Sequence, residues 1–209
     1  MNKELFKRIL SSIILLPIVF YCLLAGSFFL IFLIIICLIV ALYEWNAMNK
    51  NKFNKIFGFI YLLFSFYTFY NLSTELFLLM FVILICISTD IGGYIFGKIF
   101  KGPKITKISP KKTYAGSIGG YLLSLVCLSL ILNYVDYLDT SFQFLLLAVL
   151  LSTVSQVGDI IISYFKRKAG VKNTGSLIPG HGGLLDRIDG MIFAVPTLYF
   201  VNITGLLNI

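Results

Sequence analysis

The chain has few charged side chains and only one histidine, the side chain most often used in acid-base catalysis. Of its 209 residues, 12% are Asp, Glu, Lys or Arg, about half of the roughly 25% that is usual in soluble domains. Apolar residues make up 59% of the chain and lie in long runs. This balance excludes a soluble globular domain and a disordered tail. The sequence therefore predicts an all-α, polytopic integral membrane helical bundle.

The four cysteines form neither a disulfide framework nor a zinc-binding pattern. All of them lie in apolar runs, and no two have the Cys-x-x-Cys spacing of metal ligands. We interpret them as small apolar side chains. The net charge of +8 does not indicate a nucleic-acid partner, because that function needs a solvated basic face with stacking aromatics, and here the aromatics lie inside the apolar runs.

Apolar runs of sufficient length predict about seven transmembrane helices. The predicted spans are 9–25, 27–45, 56–71, 76–97, 115–133, 142–165 and 187–206. Residues 9–43 carry no charge, but a helix of that length would be about 50 Å long, so we predict a break near Gly26. Residues 1–75 are interpreted as N-terminal transmembrane helices and 76–209 as a catalytic transmembrane region, together forming a single integral unit.

The basic residues predict the orientation of the chain in the membrane. All 17 Lys and Arg residues lie in alternate connections, namely in segments 3–8, 50–55, 98–112 and 166–187. By the positive-inside rule these segments face the cytoplasm, so the N-terminus is cytoplasmic and the C-terminus lies on the opposite side. The positive-inside bias, together with attraction to anionic lipid headgroups, accounts for much of the net positive charge. The expected location is the bacterial inner membrane.

The connection between the fourth and fifth spans carries candidate substrate-binding residues. They are Asp90, Lys98, Ser109, Lys111, Lys112 and Thr113. Asp90 is an acid inside an apolar run, and such residues usually face a polar cavity or a partner. The hydroxyl and ammonium groups before the fifth span can hold phosphate at a helix N-terminus, although a lysine loop that attracts headgroups is the alternative. Gly93 and Gly97 are interpreted as a helix-packing surface.

The strongest chemical signal runs from Ser155 to Asp189. One face of the sixth span carries two hydroxyls, an acid and a base at helical spacing: Ser155, Asp159, Ser163 and Lys166. Asp186 and Asp189 share a face of the helix that follows. Because carboxylate oxygens suit Mg²⁺, which leaves its other positions to water and substrate phosphate, these acids predict a metal-phosphate site. The alternative is that they only neutralise nearby lysines.

His181 is the single histidine and lies among glycines, including Gly182 and Gly183. A lone histidine is often structural, but a glycine-rich turn before a helix favours anion binding. We expect His181 to donate a hydrogen bond to phosphate rather than to act as a general base.

These residues resemble a known signature. The motif is Ser163-x-Phe165-Lys166-Arg167-x4-Lys172-Asn173-x-Gly175-x2-Ile178-Pro179-x-His181-Gly182-Gly183-Leu184-x-Asp186-Arg187-Ile188-Asp189. It closely resembles that of the phosphatidate cytidylyltransferases, also called CDP-diacylglycerol synthases. Residues 156–159, the Asp90–Gly120 loop, Glu44-Trp45 and Arg8–Ser11 are similar as well, so the resemblance covers essentially the whole chain. The one departure within the motif is Asn173, where the family usually has Asp; Asn keeps an acceptor but loses the charge.

The resemblance implies that CTP and phosphatidate react to give CDP-diacylglycerol and diphosphate. It implies Mg²⁺ held by Asp159 and Asp186, with Asp189 as a further ligand or a supporting residue, and a monovalent cation such as K⁺ as a candidate second ion. The implied catalytic residues are Asp159, Ser163, Lys166, Arg167, Lys172, His181, Asp186, Arg187 and Asp189. The expected partners are CTP, phosphatidate in the bilayer and other membrane lipids, with a homodimer as a candidate assembly.

Two alternatives remain open from the sequence. One is a related CTP-using enzyme, either a polyprenol or phytol kinase or a cytidylyltransferase for another lipid phosphate. The other is a cation-coupled transporter that uses the intramembrane acids as an ion path. Transporters often have internal repeats and sites near the bilayer midplane, whereas this sequence has no visible repeat and its acids cluster at one rim.

Overall fold

The computed structural model describes residues 3–106, 108–134, 141–177 and 182–206, which form eight helices. They are α1 Lys3–Ala25, α2 Ser27–Met48, α3 Lys52–Leu72, α4 Leu76–Phe100, α5 Tyr114–Tyr134, α6 Ser141–Lys168, α7 Leu185–Ile188 and α8 Met191–Thr204. An isolated antiparallel bridge joins Lys104 and Thr113 in the connection between α4 and α5. The predicted all-α membrane architecture is confirmed.

The first long apolar run is divided where the sequence predicts. α1 ends at Ala25 and α2 begins at Ser27, and Gly26 between them has a φ of 60°. Glycine adopts this left-handed conformation readily because it has no Cβ. The predicted break near Gly26 is therefore confirmed.

Four described helices are long and apolar enough to cross a bilayer. The apolar stretches are Phe28–Met48, Leu76–Phe100, Tyr114–Asn133 and Phe142–Lys168, and shorter apolar helices cover Ile13–Ala25 and Met191–Thr204. α3 has a suitable length, but its first turn contains Lys52 and Lys55. The chain is thus an integral membrane protein, and the count of about seven spans stays a prediction.

The predicted helix 187–206 is interrupted near its start. α7 ends at Ile188 and α8 begins at Met191. The Gly190 N–H donates to the Asp189 Oδ1 at 2.9 Å, and a side chain on Gly190 would collide with Ser155. The close contact with α6 and this local hydrogen bond thus accompany the break. α8 has 14 residues and is about 21 Å long.

The described residues group into two compact units. The first unit comprises the residues up to Ser73 together with Phe165–Ile188, and the second comprises Thr74–Tyr164 together with the residues from Asp189 onward. In the first unit, the Trp45 ring lies directly on Gly58, and its Nε1 donates to the Asn54 carbonyl oxygen at 3.0 Å. Trp45 therefore anchors the start of α3 to the end of α2.

In the second unit, α4 and α5 pack through facing glycines. A Cβ on Gly97 would lie 3.5 Å from the Gly116 Cα, and one on Gly93 would lie 3.7 Å from the Gly116 carbonyl oxygen. On the same two helices, a Cβ on Gly92 would collide with the backbone of Gly119. Small residues allow membrane helices to approach this closely. The interpretation of Gly93 and Gly97 as a packing surface is confirmed.

Candidate active site

The loop between α4 and α5 fixes Lys112 at the start of α5. The Ile105 N–H donates to the Lys112 carbonyl oxygen at 3.0 Å, and the Tyr114 N–H donates to the Pro103 carbonyl oxygen at 3.1 Å. The Thr113 hydroxyl accepts from the Gly116 N–H at 3.1 Å and so caps the first turn of α5. These bonds hold the loop back against the helix N-terminus, with the Lys112 side chain beside α6.

Lys112 and Asp159 form an ion pair in the second unit. The Lys112 Nζ lies 2.6 Å from the Asp159 Oδ2, and the two side chains are 20% and 31% exposed. The Ser163 hydroxyl, one turn along α6, donates to the Asp159 Oδ1 at 3.3 Å. We call Lys112, Asp159 and Ser163 the Asp159 cluster. The Asp159 side chain keeps access to solvent, whereas the Lys112 Nζ is buried beside it, so a charged ligand can reach this pair from the carboxylate side.

Asp189 approaches the same turn of α6 through a glycine. A Cβ on Gly158 would lie 3.0 Å from the Asp189 carbonyl oxygen and 2.5 Å from the Phe193 ring. Gly158 thus allows the backbone at Asp189, just before α8, to pack directly against α6. Asp189 is buried, and its carboxylate accepts from the Gly190 N–H.

A set of polar side chains links α4, α5 and α6 next to the Asp159 cluster. A hydrogen bond of 3.0 Å joins the hydroxyls of Thr89 and Ser152, and the Gln156 amide donates to the Ser152 hydroxyl at 3.4 Å. The Ser117 hydroxyl donates to the Gln156 carbonyl oxygen. Sequence reasoning missed this set, because single hydroxyls in apolar runs are common and each usually bonds within its own helix.

In the first unit, Asp186 has both carboxylate oxygens occupied. Its Oδ1 accepts from the Lys166 Nζ at 2.8 Å, and its Oδ2 accepts from the backbone N–H of Thr174 at 2.8 Å and of Gly183 at 3.1 Å. The Asp186 side chain is 9% exposed. Gly182 has a φ of 90°, and a Cβ there would lie 3.0 Å from the Asp186 Oδ2. Asp186 thus joins Lys166 at the end of α6 to Thr174 and Gly183.

Glu44 on α2 is the principal residue that sequence reasoning missed as a separate feature. It is 1% exposed and accepts three hydrogen bonds of 2.8 to 2.9 Å, from the N–H groups of Leu184 and Leu185 and from the Thr174 hydroxyl. A side chain on Gly183 would collide with Thr174 and lie 2.5 Å from the Glu44 Oε2. A carboxylate that follows a long uncharged run is the signal that could have identified it.

The other predicted residues lie at more open positions. The exposed ones are Asp90, Lys98, Lys111, Arg167, Lys172, Asn173 and Arg187. The Lys98 Nζ lies 5.7 Å from the centre of the Tyr94 ring, and the Arg167 guanidinium donates to the Val171 carbonyl oxygen at 3.1 Å. The Ser109 carbonyl oxygen accepts from the Lys112 N–H at 3.0 Å. His181 lies outside the described residues.

The Asp159 carboxylate has the chemistry of a magnesium ligand whose other coordination positions would be filled by water and substrate phosphate. Among the described residues, no three His, Cys, Asp or Glu side chains form a metal-binding group on their own. Mg²⁺ does not need such a group, because it typically takes one or two carboxylates and fills its other positions with water and phosphate. Asp159 is accessible, whereas the Asp186 oxygens already accept three hydrogen bonds. The ligand set of Asp159, Asp186 and Asp189 stays a prediction.

Comparisons with known proteins match this chain to cytidylyltransferases. A profile described as the cytidylyltransferase family matches residues 6–72 and 55–204. The phosphatidate cytidylyltransferase of Rickettsia felis is 34% identical, over 97% of this chain and 94% of its own length. That of Rickettsia typhi is 35% identical over 97% and 93%. The enzyme of Staphylococcus haemolyticus is 36% identical over 75% of this chain, which spans 64% of that protein's length.

Proposed function

The chain belongs to the cytidylyltransferase family, and we propose that it is a phosphatidate cytidylyltransferase that transfers the CMP group of CTP to phosphatidate. The name and coverage of the two rickettsial relatives support this assignment. The structural observation that carries it is the pair of Lys112 and Asp159 at 2.6 Å, which sets a cation and an accessible carboxylate together where membrane helices end. A reaction between two phosphate compounds needs both kinds of charge.

The chemistry explains why the proposed reaction needs no nucleophilic triad. Phosphate monoesters have a second pKa near ~6, so the attacking oxygen of phosphatidate is already largely ionised at neutral pH. That oxygen forms a bond to the α-phosphorus of CTP. The bond from the α-phosphorus to the oxygen bridging the β-phosphate breaks, and its electron pair leaves with diphosphate. The protein must neutralise two anions, align them and stabilise the leaving group.

In the second unit, we assign the Asp159 cluster to the triphosphate. Asp159 would hold Mg²⁺, with Asp189 beside it, and the bound ion would neutralise charge on the phosphate oxygens. Lys112, once released from Asp159, would donate to a phosphate oxygen, and Ser163 would orient the carboxylate. K⁺ stays a candidate second ion. The further candidates for substrate contact are Asp90, Lys98, Ser109, Lys111 and Thr113.

In the first unit, we assign the exposed cations to substrate phosphates. Arg167, Lys172 and Arg187 are exposed cations of the loop and its flanking helices, as is Lys168 at the end of α6. Lys166 is buried against Asp186, so its role is to hold the loop in place. We also assign the glycine-rich segment of His181, Gly182 and Gly183 to phosphate binding.

We propose that this membrane protein lies in the bacterial inner membrane with its basic connections in the cytoplasm, where CTP is found. The helix bounds support this orientation. All Lys and Arg residues lie at the start of α1 or in and around the α2–α3, α4–α5 and α6–α8 connections, which share one side if each long helix crosses once. A homodimer is retained as a candidate assembly.

The decisive assay incubates purified protein with phosphatidate and CTP, with and without Mg²⁺. We expect CDP-diacylglycerol and diphosphate in equal amounts, loss of turnover when EDTA removes Mg²⁺, and recovery when Mg²⁺ is added back. Release of CDP in place of diphosphate would identify a lipid kinase instead. Absence of both products in the presence of Mg²⁺ would contradict the proposal and leave the transport alternative.

A further inference from the structure

A groove lies on the first unit where α2 and α3 meet. It has a volume of about 470 Å³, and its walls include Leu42, Trp45 and Asn46 from α2 and Lys55, Ile56 and Phe59 from α3. This volume is within the range of about 300–1,000 Å³ that is typical of small-molecule sites. None of these residues belongs to the candidate active site.

The groove changes from polar to apolar along the helix axes. Asn46 and Lys55 lie within a turn of the connection between the two helices, whereas Leu42 and Phe59 lie about one turn further from it. Because α2 is apolar enough to span a bilayer, the deeper end faces acyl chains and the polar end faces the headgroups. A soluble anion would match only the polar end.

The charge at the polar end is positive and is not compensated locally. Lys50, Lys52 and Lys55 lie within six residues, and residues 45–74 contain no Asp or Glu. Lys55 has no ion-pair partner among the described residues. The nearest acid in sequence, Glu44, directs its carboxylate to Thr174, Leu184 and Leu185. This end therefore favours an anionic headgroup.

One wall of the groove is held in place before any ligand binds. Trp45 is 5% exposed and is fixed by its hydrogen bond to the Asn54 carbonyl oxygen. Its ring packs edge to face against the Phe165 ring, with 4.9 Å between the ring centres. We propose that the groove binds one anionic glycerophospholipid of the surrounding bilayer, with its phosphate at Lys55 and one acyl chain along Leu42 and Phe59. This inference goes beyond the cytidylyltransfer reaction and does not depend on it.

The single tryptophan of the chain allows a direct test, because Trp45 lines the groove. The full-length protein is placed in bilayers that contain phosphatidylglycerol or phosphatidylcholine brominated near the headgroup end of the acyl chains, which quench nearby tryptophan. We expect phosphatidylglycerol to compete for the Trp45 site about five-fold better than phosphatidylcholine at low salt. That preference should decline steeply near 1 M salt, where the Debye length is about 3 Å.

Variants then identify the residue responsible. Lys55→Gln should reduce the preference to near unity, whereas Lys55→Arg and the exposed-loop control Lys104→Gln should retain it, all with CTP turnover close to that of the parent protein. Equal quenching by the two lipids in the unaltered protein overturns the proposal, as does a preference that survives in folded Lys55→Gln. If Lys55→Gln does not fold, the headgroup and salt comparisons on the parent protein decide. Because the readout is fluorescence, failure here is distinct from failure of the enzymatic assay.

Discussion

Asp159→Asn is expected to reduce CTP-dependent turnover by about 100- to 1,000-fold, the range seen when one preorganised electrostatic contact to a reacting group is removed. Asn has nearly the same size and can still accept from Ser163, which donates to Asp159 at 3.3 Å. What is lost is the negative charge that faces Lys112 and that we assign to Mg²⁺. The measurement is incorporation of labelled CTP into lipid over a range of Mg²⁺ concentrations, with membrane insertion checked separately.

A double variant tests whether Asp159 is only a counter-ion for Lys112. If Asp159 only neutralises Lys112, then Asp159→Asn combined with Lys112→Gln removes both charges together and should regain much of the activity. If Asp159 holds Mg²⁺ and Lys112 binds phosphate, the double variant should be at least as inactive as Asp159→Asn. We expect the second result. Recovery of turnover in the double variant would refute the metal role while leaving the ion pair at 2.6 Å as a structural feature.

Glu44→Ala is expected to have the largest effect on stability. Glu44 is 1% exposed, and its loss leaves two backbone N–H groups and one hydroxyl without their acceptor. Each buried donor left in this way costs about 1–3 kcal/mol, so we expect a loss of roughly 3 kcal/mol or more. Glu44→Gln keeps one acceptor oxygen, so its stability should lie between that of the unaltered protein and that of Glu44→Ala. Residual CTP turnover after heating in detergent, together with protease cleavage between residues 169 and 184, measures the effect.

Glu75 provides the matched control for this prediction. It is exposed at the N-terminal end of α4 and makes no side-chain capping bond there. Glu75→Ala and Glu75→Gln should change both heat resistance and protease cleavage little. A Glu44→Ala protein as resistant as the Glu75 variants would show that the three hydrogen bonds do not stabilise the loop.

The helical architecture and its main break could be predicted because they depend on local properties. Long apolar runs must satisfy their backbone groups as helices inside a bilayer, and Gly26 divides a run that is too long for one crossing. The packing role of Gly93 and Gly97 was also accessible, since their spacing places them on one helix face. The interruption before Met191 depends on contact between Gly190 and Ser155, which are distant in sequence, and so periodicity alone does not reveal it.

The candidate site could be predicted only in part. The spacing on α6 places Asp159 and Ser163 on one face, and their hydrogen bond agrees with that prediction. The partners of the acids were less accessible, because Lys112 was one of six lysines in its loop and no local rule selects it. Lys166 was expected at phosphate, whereas in this structure it bonds to Asp186. Such pairings depend on how the chain returns on itself.

The Glu44 contacts join residues that are 130, 140 and 141 positions apart in the chain. During synthesis, α2 is therefore made long before its partners. The hydrogen bonds from Thr174, Leu184 and Leu185 to Glu44 can form only near the end of translation. A shortened gene that began at α4 would encode all of the proposed catalytic and substrate-binding residues but would lack Glu44 and its three hydrogen bonds. We expect such a fragment to become functional only when the first three helices are supplied on a second polypeptide.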